Sequence, residues 1–199
     1  PAIKPTFLEE NPKLRFKKRL AQLLLAQGFN EVITYTMLNQ NNLAKTNLAT
    51  AGSVSIKNPL SQDQGIMRPS LFPGLLNAVL SNINHGQRDL RFFEIGKEYT
   101  AAGEKDVLGL VLCGNRPHDW QKAKAEINFY DVKGAVETLL EQPETARFIE
   151  NDTKVFASGR AATVQISGQD IGGFGQVVEE VLNRWDIKQK NVYLARIDI

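Results

Sequence analysis

Arg91-Phe92-Phe93-Glu94-Ile95-Gly96-Lys97-Glu98-Tyr99-Thr100, followed after Ala101-Ala102 by Gly103-Glu104-Lys105-Asp106 and by Val107-Leu108-Gly109-Leu110-Val111-Leu112-Cys113, is the stretch that decides the fold. In its first part Phe93, Ile95 and Tyr99 fall on one side and Phe92, Glu94 and Glu98 on the other, which is the two-residue period of a strand. The second part is an apolar run of strand length, and Gly103 to Asp106 reads as the turn between them. Adjacent strands joined this tightly pair antiparallel. The fold class expected from this nucleus is α+β, an antiparallel sheet flanked by helices.

Working outward, the helices that would flank such a sheet can be read from their periods and their ends. Asn11-Pro12 is a helix start, with Asn able to cap free amides and Pro harmless in the first turn. A helix over 12–27 places Phe16, Leu20, Leu23, Leu24 and Gln27 on one stripe, and Gly28 stands where a left-handed cap is expected. Glu31 to Leu38 reads as one strand, with Val32, Thr34 and Thr36 on one side and Ile33, Tyr35 and Met37 on the other. The Asn-rich run 39–51 supports only a loop or a short surface helix, and Val54 to Lys57 a short strand closed by Asn58-Pro59. Ser70 is the expected cap of a helix carrying Pro73 in its first turn and Leu75, Leu76, Val79, Leu80 and Ile83 on its buried face. A further helix spans Phe129 to Leu140. The last quarter offers strands at Arg160 to Ile166 and Ile171 to Phe174, a helix near Val177 to Trp185, and a terminal strand from Val192.

Composition bounds the functions available. The 199 residues are 42% hydrophobic and 23% charged, an ordinary globular balance that excludes disordered, collagenous and coiled-coil chains. No window approaches the roughly 20 apolar residues of a membrane span, and no leader is visible, so a cytoplasmic protein without a membrane partner is expected. The lone Cys113 forms no internal disulfide, and with only His85 and His118 beside it no Cys/His metal site is expected. A net charge of +2, from 24 basic and 22 acidic residues, excludes wholesale phosphate neutralisation and leaves only local RNA contact. The opening Pro1-Ala2-Ile3 and the strand-like close at Ile199 lead to the expectation of a single module, 1–199, within a longer polypeptide.

Side chains that carry chemistry are present, but without a constellation. Lys13, Arg15, Lys17, Lys18 and Arg19 could attract phosphates, although such a cluster is more often a solvated helix face. Gly172-Gly173-Phe174-Gly175 lacks the Lys-Ser/Thr of a P-loop and any GxGxxG spacing, so a turn or close backbone packing is expected. Asp119, Glu126 and Asp131 flank an aromatic segment, with no partner at fixed spacing that would make them an acid–base pair. Cys113 lies in an apolar run with no base to activate it. His85 and His118 read as surface residues. No catalytic, cofactor-binding or metal-ligating residue is therefore assigned.

Several blocks together do carry a resemblance. Asn58-Pro59-Leu60-Ser61, then Met67-Arg68-Pro69-Ser70-Leu71-Phe72-Pro73-Gly74-Leu75-Leu76, then Phe93-Glu94-Ile95-Gly96-Lys97, then Phe129-Tyr130-Asp131-Val132-Lys133-Gly134, and finally Ile171-Gly172-Gly173-Phe174-Gly175 resemble, in order and over nearly the whole chain, the core module of the bacterial phenylalanyl-tRNA synthetase β subunit. The resemblance implies the class II aminoacyl-tRNA synthetase architecture. It also implies a catalytic-like module without chemistry of its own, scaffolding the catalytic α subunit in an (αβ)₂ enzyme that aminoacylates tRNA-Phe with ATP and Mg2+. In that assembled complex the activity is a phenylalanine–tRNA ligase; this segment alone is expected to be inactive.

Class II chemistry needs cations aimed at the triphosphate. In the strand matching the second class II motif, Thr100 stands where a functional copy would carry arginine. In the stretch matched to the third motif, Gly173 to Glu180, Glu179 and Glu180 would repel a triphosphate. Arg68 matches a basic position, with helix initiation by Pro69 and Ser70 as a sufficient explanation. The helix 12–27 and its following strand resemble the first motif, whose role in relatives is subunit association. Phe16, Leu20, Leu23 and Leu24 are accordingly the subunit-interface candidates, equally open to packing on their own sheet. Two other functions are compatible with the residues. One is a competent class II ligase in which Arg68 or Arg91 takes over triphosphate binding; the other is an RNA-binding module working through Lys13 to Arg19.

Overall fold

In the computed structural model, which describes residues 10–49, 52–117, 125–140 and 142–199, the Asn11 side chain accepts the Lys13 amide at 2.9 Å and opens helix α1 (Pro12–Ala26). Gly28, at φ +79°, reverses the chain after it. The other helices are α2 (Gln40–Lys45), α3 (Phe72–Asn84), α4 (Phe129–Leu139) and α5 (Glu179–Arg184). The strands are β1 (Asn30–Glu31), β2 (Met37–Leu38), β3 (Ile66–Met67), β4 (Leu90–Thr100), β5 (Gly103–Cys113), β6 (Ala146–Glu150), β7 (Phe156–Ile166), β8 (Gln169–Val177) and β9 (Val192–Asp198).

Seven strands form one sheet in the order β1-β4-β5-β9-β8-β7-β6, and β2 pairs with β3 outside it. Only β1 runs parallel to its neighbour β4; every other pair in the sheet is antiparallel. The β4–β5 hairpin is longer than its sequence suggests. Its ladder runs from Leu90 opposite Cys113 to Thr100 opposite Gly103, so Gly103 to Asp106 are strand residues and the turn lies at 100–103. Gly103, at φ +124°, makes this tight reversal possible. The polar residues that follow it are held in the strand by ion pairs: Glu104 with Lys97, and Asp106 with Lys17 at 2.6 Å.

Helices cover both faces. Leu71, Leu75, Leu76 and Val79 of the α3 region, together with Val181 and Leu182 of α5, pack on the face carrying Phe92, Val111 and Leu194. Leu20 and Leu24 of α1, with Val132 and Val136 of α4, pack on the face carrying Phe93, Leu110 and Ala195. Asn128 and Asp131 close a reciprocal capping box at the start of α4. Ser70 is displaced from its expected role: α3 begins at Phe72, whose amide reaches Ser70 Oγ at 3.2 Å, while the Leu71 amide donates to the Glu98 carboxylate at 3.0 Å.

The single strand expected over Glu31 to Leu38 is two short pieces. Between them the Thr34 amide donates to Glu94 Oε1 at 3.3 Å, and the Thr36 carbonyl accepts the Arg68 amide at 2.8 Å. Long-range partners therefore satisfy this backbone where a ladder would otherwise run. Likewise Val54 to Lys57 makes only an isolated bridge, Ser55 opposite Ile66.

Candidate functional site: the polar rows beneath helix α3

Residues directly opposite in an antiparallel ladder share a face, so the registers define rows across the sheet. Phe92, Val111, Leu194 and Gly175 make one row, and Glu94, Gly109, Arg196 and Gly173 make the next. The face turns from apolar to charged within one step. Glycine in the second row serves packing: a Cβ on Gly109 would lie 2.9 Å from Leu75 Cδ1, beneath α3.

Glu94 and Glu98, 2% and 6% exposed, are the acidic centres of this face. Carboxylates this deeply buried require cations and hydrogen-bond donors. Arg68 Nη1 meets Glu94 Oε1 at 2.6 Å, and Thr34 Oγ1 donates to Glu94 Oε2 at 2.7 Å. The same guanidinium donates through Nε to the Lys97 carbonyl at 2.9 Å, and Nη1 reaches Thr34 Oγ1 at 3.1 Å. Gly96 leaves room for it, because a Cβ there would lie 2.4 Å from Arg68 Nη2. Glu98 takes the Leu71 amide and, at 3.0 Å, Arg196 Nε; Arg196 Nη2 also pairs with Asp198 at 2.7 Å. Burial works against the Arg196 charge, but Glu98 and Asp198 outweigh it and raise its pKa.

The two arginines are thus held by carboxylates of the same chain. Thr100 lies exposed at the hairpin tip, its hydroxyl donating to the Gly103 carbonyl at 3.4 Å. Arg91 is elsewhere: its Nη1 points at the Gln27 carbonyl, 3.5 Å away, its guanidinium lies over the Phe29 ring, and burial lowers its pKa. Arg68 is thus held by Glu94, whereas Arg91 lines a separate pocket with Asp89 and Arg116.

Known proteins share both the sequence pattern and the architecture. The family described as phenylalanyl tRNA synthetase beta chain CLM domain matches residues 1–199. The chain belongs to that family. Among curated relatives, the phenylalanine–tRNA ligase beta subunit of Protochlamydia amoebophila is 33% identical over 94% of this chain and 24% of its own length. Those of Fusobacterium nucleatum and Geobacter sulfurreducens are 33% and 34% identical, over 96% and 90% of this chain. The chain spans about a quarter of the length of these relatives. Two structures of pyrrolysyl-tRNA synthetase from Desulfitobacterium hafniense superpose over 94% of the chain and 66% of their own, with TM-scores of 0.73 and 0.74 at 18% and 17% identity. That likeness shows the class II synthetase fold.

Within this member of the synthetase β-chain family, the other sequence candidates disperse. Of the interface candidates, Leu20 and Leu24 are 2% and 0% exposed in the core beneath α1, and Phe16 and Leu23 pack half-buried on the same cluster. These side chains pack on their own sheet, and Phe16 and Leu20 also line a groove with Leu139, Leu140 and Ile171. The exposed apolar residues nearby are Leu14 and Leu25 on α1 and, beyond it, Ile33 and Tyr35, which are 91% and 82% exposed. In the basic cluster, Lys17 pairs with Asp106 and Lys18 with Glu10.

Glu179 and Glu180 sit on the exposed side of α5, pairing with Lys190 and Arg184. Gly172 to Gly175 lie in β8, where close packing is required: a Cβ on Gly172 would be 2.0 Å from the Arg196 carbonyl. Asp131 is engaged by the Asn128 amide and by Arg116 Nε at 2.8 Å. Cys113 is buried, and desolvation pushes its thiol up to about 12. His85 is exposed, with its ring Nδ1 2.6 Å from the Ser81 carbonyl. Asp119 and His118 lie outside the described residues. No group of three or more His, Cys, Asp or Glu that could hold a metal occurs among the described residues, and no helix there is long and apolar enough to cross a membrane.

Sequence reasoning missed Thr34, Glu94, Glu98 and Arg196. A signal for the two carboxylates was present: they share strand parity with Phe92, which places them on a covered face. Their cations were not findable, because Arg68 lies 26 residues before Glu94 and Arg196 lies 98 after Glu98.

Proposed function

We propose that this module is a non-catalytic scaffold for the catalytic α subunit of a phenylalanine–tRNA ligase, assembled as (αβ)₂ with a second αβ pair, working in the cytoplasm and joining phenylalanine to tRNA-Phe with ATP and Mg2+. One observation carries the reading: the charged face beside α3 is neutralised from within. Arg68 is bound to Glu94 and Arg196 to Glu98, and Thr100 brings no charge to the hairpin tip. A triphosphate needs unpaired cations and a magnesium ligand set. These residues do not fit it, since each arginine would first have to leave a buried carboxylate uncompensated. ATP and Mg2+ therefore belong, on this reading, to the partner subunit.

The surface for that partner is the exposed apolar run that follows α1. Ile33 and Tyr35 project from a segment whose backbone is fastened to the sheet through Thr34. Large exposed side chains on a rigid support suit a subunit contact. Size-exclusion chromatography with light scattering, on the full-length β chain with and without the matching α subunit, tests this. A defined complex that Ile33→Asp and Tyr35→Asp disrupt supports the scaffold role. ATP–pyrophosphate exchange by the β chain alone would falsify the non-catalytic part.

A further inference from the structure

The end of the sheet remote from the β4–β5 turn holds a cavity of about 1030 Å³, where β5 ends and β9 begins. It lies away from the Glu94–Arg68 cluster, so a ligand bound there is independent of the scaffold role. Four cations line it, Arg88, Arg160, Lys188 and Lys190, against one carboxylate, Glu126.

The partners of these cations leave them available. Arg160 Nη1 donates to Gln176 Oε1 at 2.7 Å, a neutral acceptor that does not compensate its charge. The Arg88 carbonyl accepts from Gln189 Nε2 at 3.0 Å and from Cys113 Sγ at 3.6 Å, and the Arg88 guanidinium forms no ion pair with a carboxylate among the described residues. Lys188 pairs with Asp186 at 2.6 Å and Lys190 with Glu179 at 3.0 Å, on exposed surface. Such pairs contribute at most about 1 kcal/mol and yield to a stronger anion.

A second observation points inward. Tyr193 lines the cavity while only 6% exposed. Burial raises its pKa, with Arg160 acting in the opposite direction, so the hydroxyl is a donor at neutral pH and lies within reach of the Arg160 field. A phenolic donor beside guanidinium groups that no carboxylate neutralises is complementary to phosphate oxygens. The volume lies just above the roughly 300–1,000 Å³ of small-ligand sites, which suits an ester of nucleotide size better than a bare ion.

We propose that this cavity binds a phosphate ester, with Arg160 and the Tyr193 hydroxyl as anchoring donors and Arg88, Lys188 and Lys190 supplying the remaining positive charge. The test titrates the full-length β chain with AMP by calorimetry and with a fluorescein-labelled hexauridylate by anisotropy, each at low and at physiological salt. The expected result is saturable binding of at least one probe, weakened about tenfold or more by R88A/R160A and about threefold by Y193F. The affinity should also fall steeply with salt. Binding of AMP alone identifies a free phosphate monoester as ligand, and binding of the oligonucleotide alone identifies a strand phosphodiester. Arg88 and Arg160 are exposed, so an unchanged urea midpoint verifies that the double variant is folded. Absence of saturable binding by both probes, or binding that neither variant alters, overturns the proposal.

Discussion

Glu94 is 2% exposed and has no water to turn to if its arginine is removed. Arg68→Met should therefore destabilise the protein by about 3–5 kcal/mol, because an uncompensated carboxylate is left inside. Arg68→Met with Glu94→Leu should recover most of that loss, and urea midpoints of the single and double variants measure the coupling. Lack of recovery would mean that the hydrogen bonds to Thr34 and to the Lys97 carbonyl, not the charge pair, carry the stability.

Cys113 makes stability depend on pH. Its thiol is raised from 9.0 to about 12 in the folded protein, so the folded state keeps its proton where the unfolded state loses it. The corresponding stability is complete below pH 9.0 and is lost as pH climbs towards about 12. Cys113→Ala should accordingly lose less stability over that window than the parent protein. In native protein at neutral pH, iodoacetamide should leave the thiol unmodified.

At the scale of the element, burial separates two neighbouring residues of α1. Leu24, at 0% exposure, should cost about 2–5 kcal/mol on replacement by alanine. Leu25, 53% exposed, should change stability by no more than about 0.5 kcal/mol. Thermal denaturation of the pair decides it, and equal losses would contradict the packing described for α1. For α4, Asn128→Ala removes one half of the capping box and should cost about 1 kcal/mol. Elements whose causes are local were legible in the sequence: α1 through Asn11, its stripe and Gly28, and β4 through its alternation. The hairpin turn was misread because Glu104, Lys105 and Asp106 resemble a polar loop, whereas in the fold they extend a ladder on its exposed end. The segment between β1 and β2 was not legible, because what fixes it is the Glu94 carboxylate, 60 residues away.

At the scale of the whole molecule, pairing on both sides should set local stability. Central β5 and β9 are each hydrogen-bonded to two neighbours, whereas β6 is an edge strand paired only with β7. Hydrogen exchange should show the slowest amides in β5 and β9 and faster exchange in β6. Uniform protection across the seven strands would refute this ranking. The candidate site belongs to this scale too. Its charges come from β4, β9 and the segments that precede α3, so no single window of sequence contained it, although the family blocks lying in those same segments were readable.

The position of β9 also governs when the sheet can close. Of the seven strands of this sheet it comes last in the sequence, but it sits between β5 and β8, near the middle. On the ribosome, where synthesis runs at about 5–20 residues per second, β4–β5 and β6–β7–β8 emerge first as two separate sets with open edges. Neither set can join the other until Val192 to Asp198 has left the exit tunnel and bridged them. Nascent chains of this module therefore wait with exposed β5 and β8 edges, and these are the edges on which a holding chaperone would be needed.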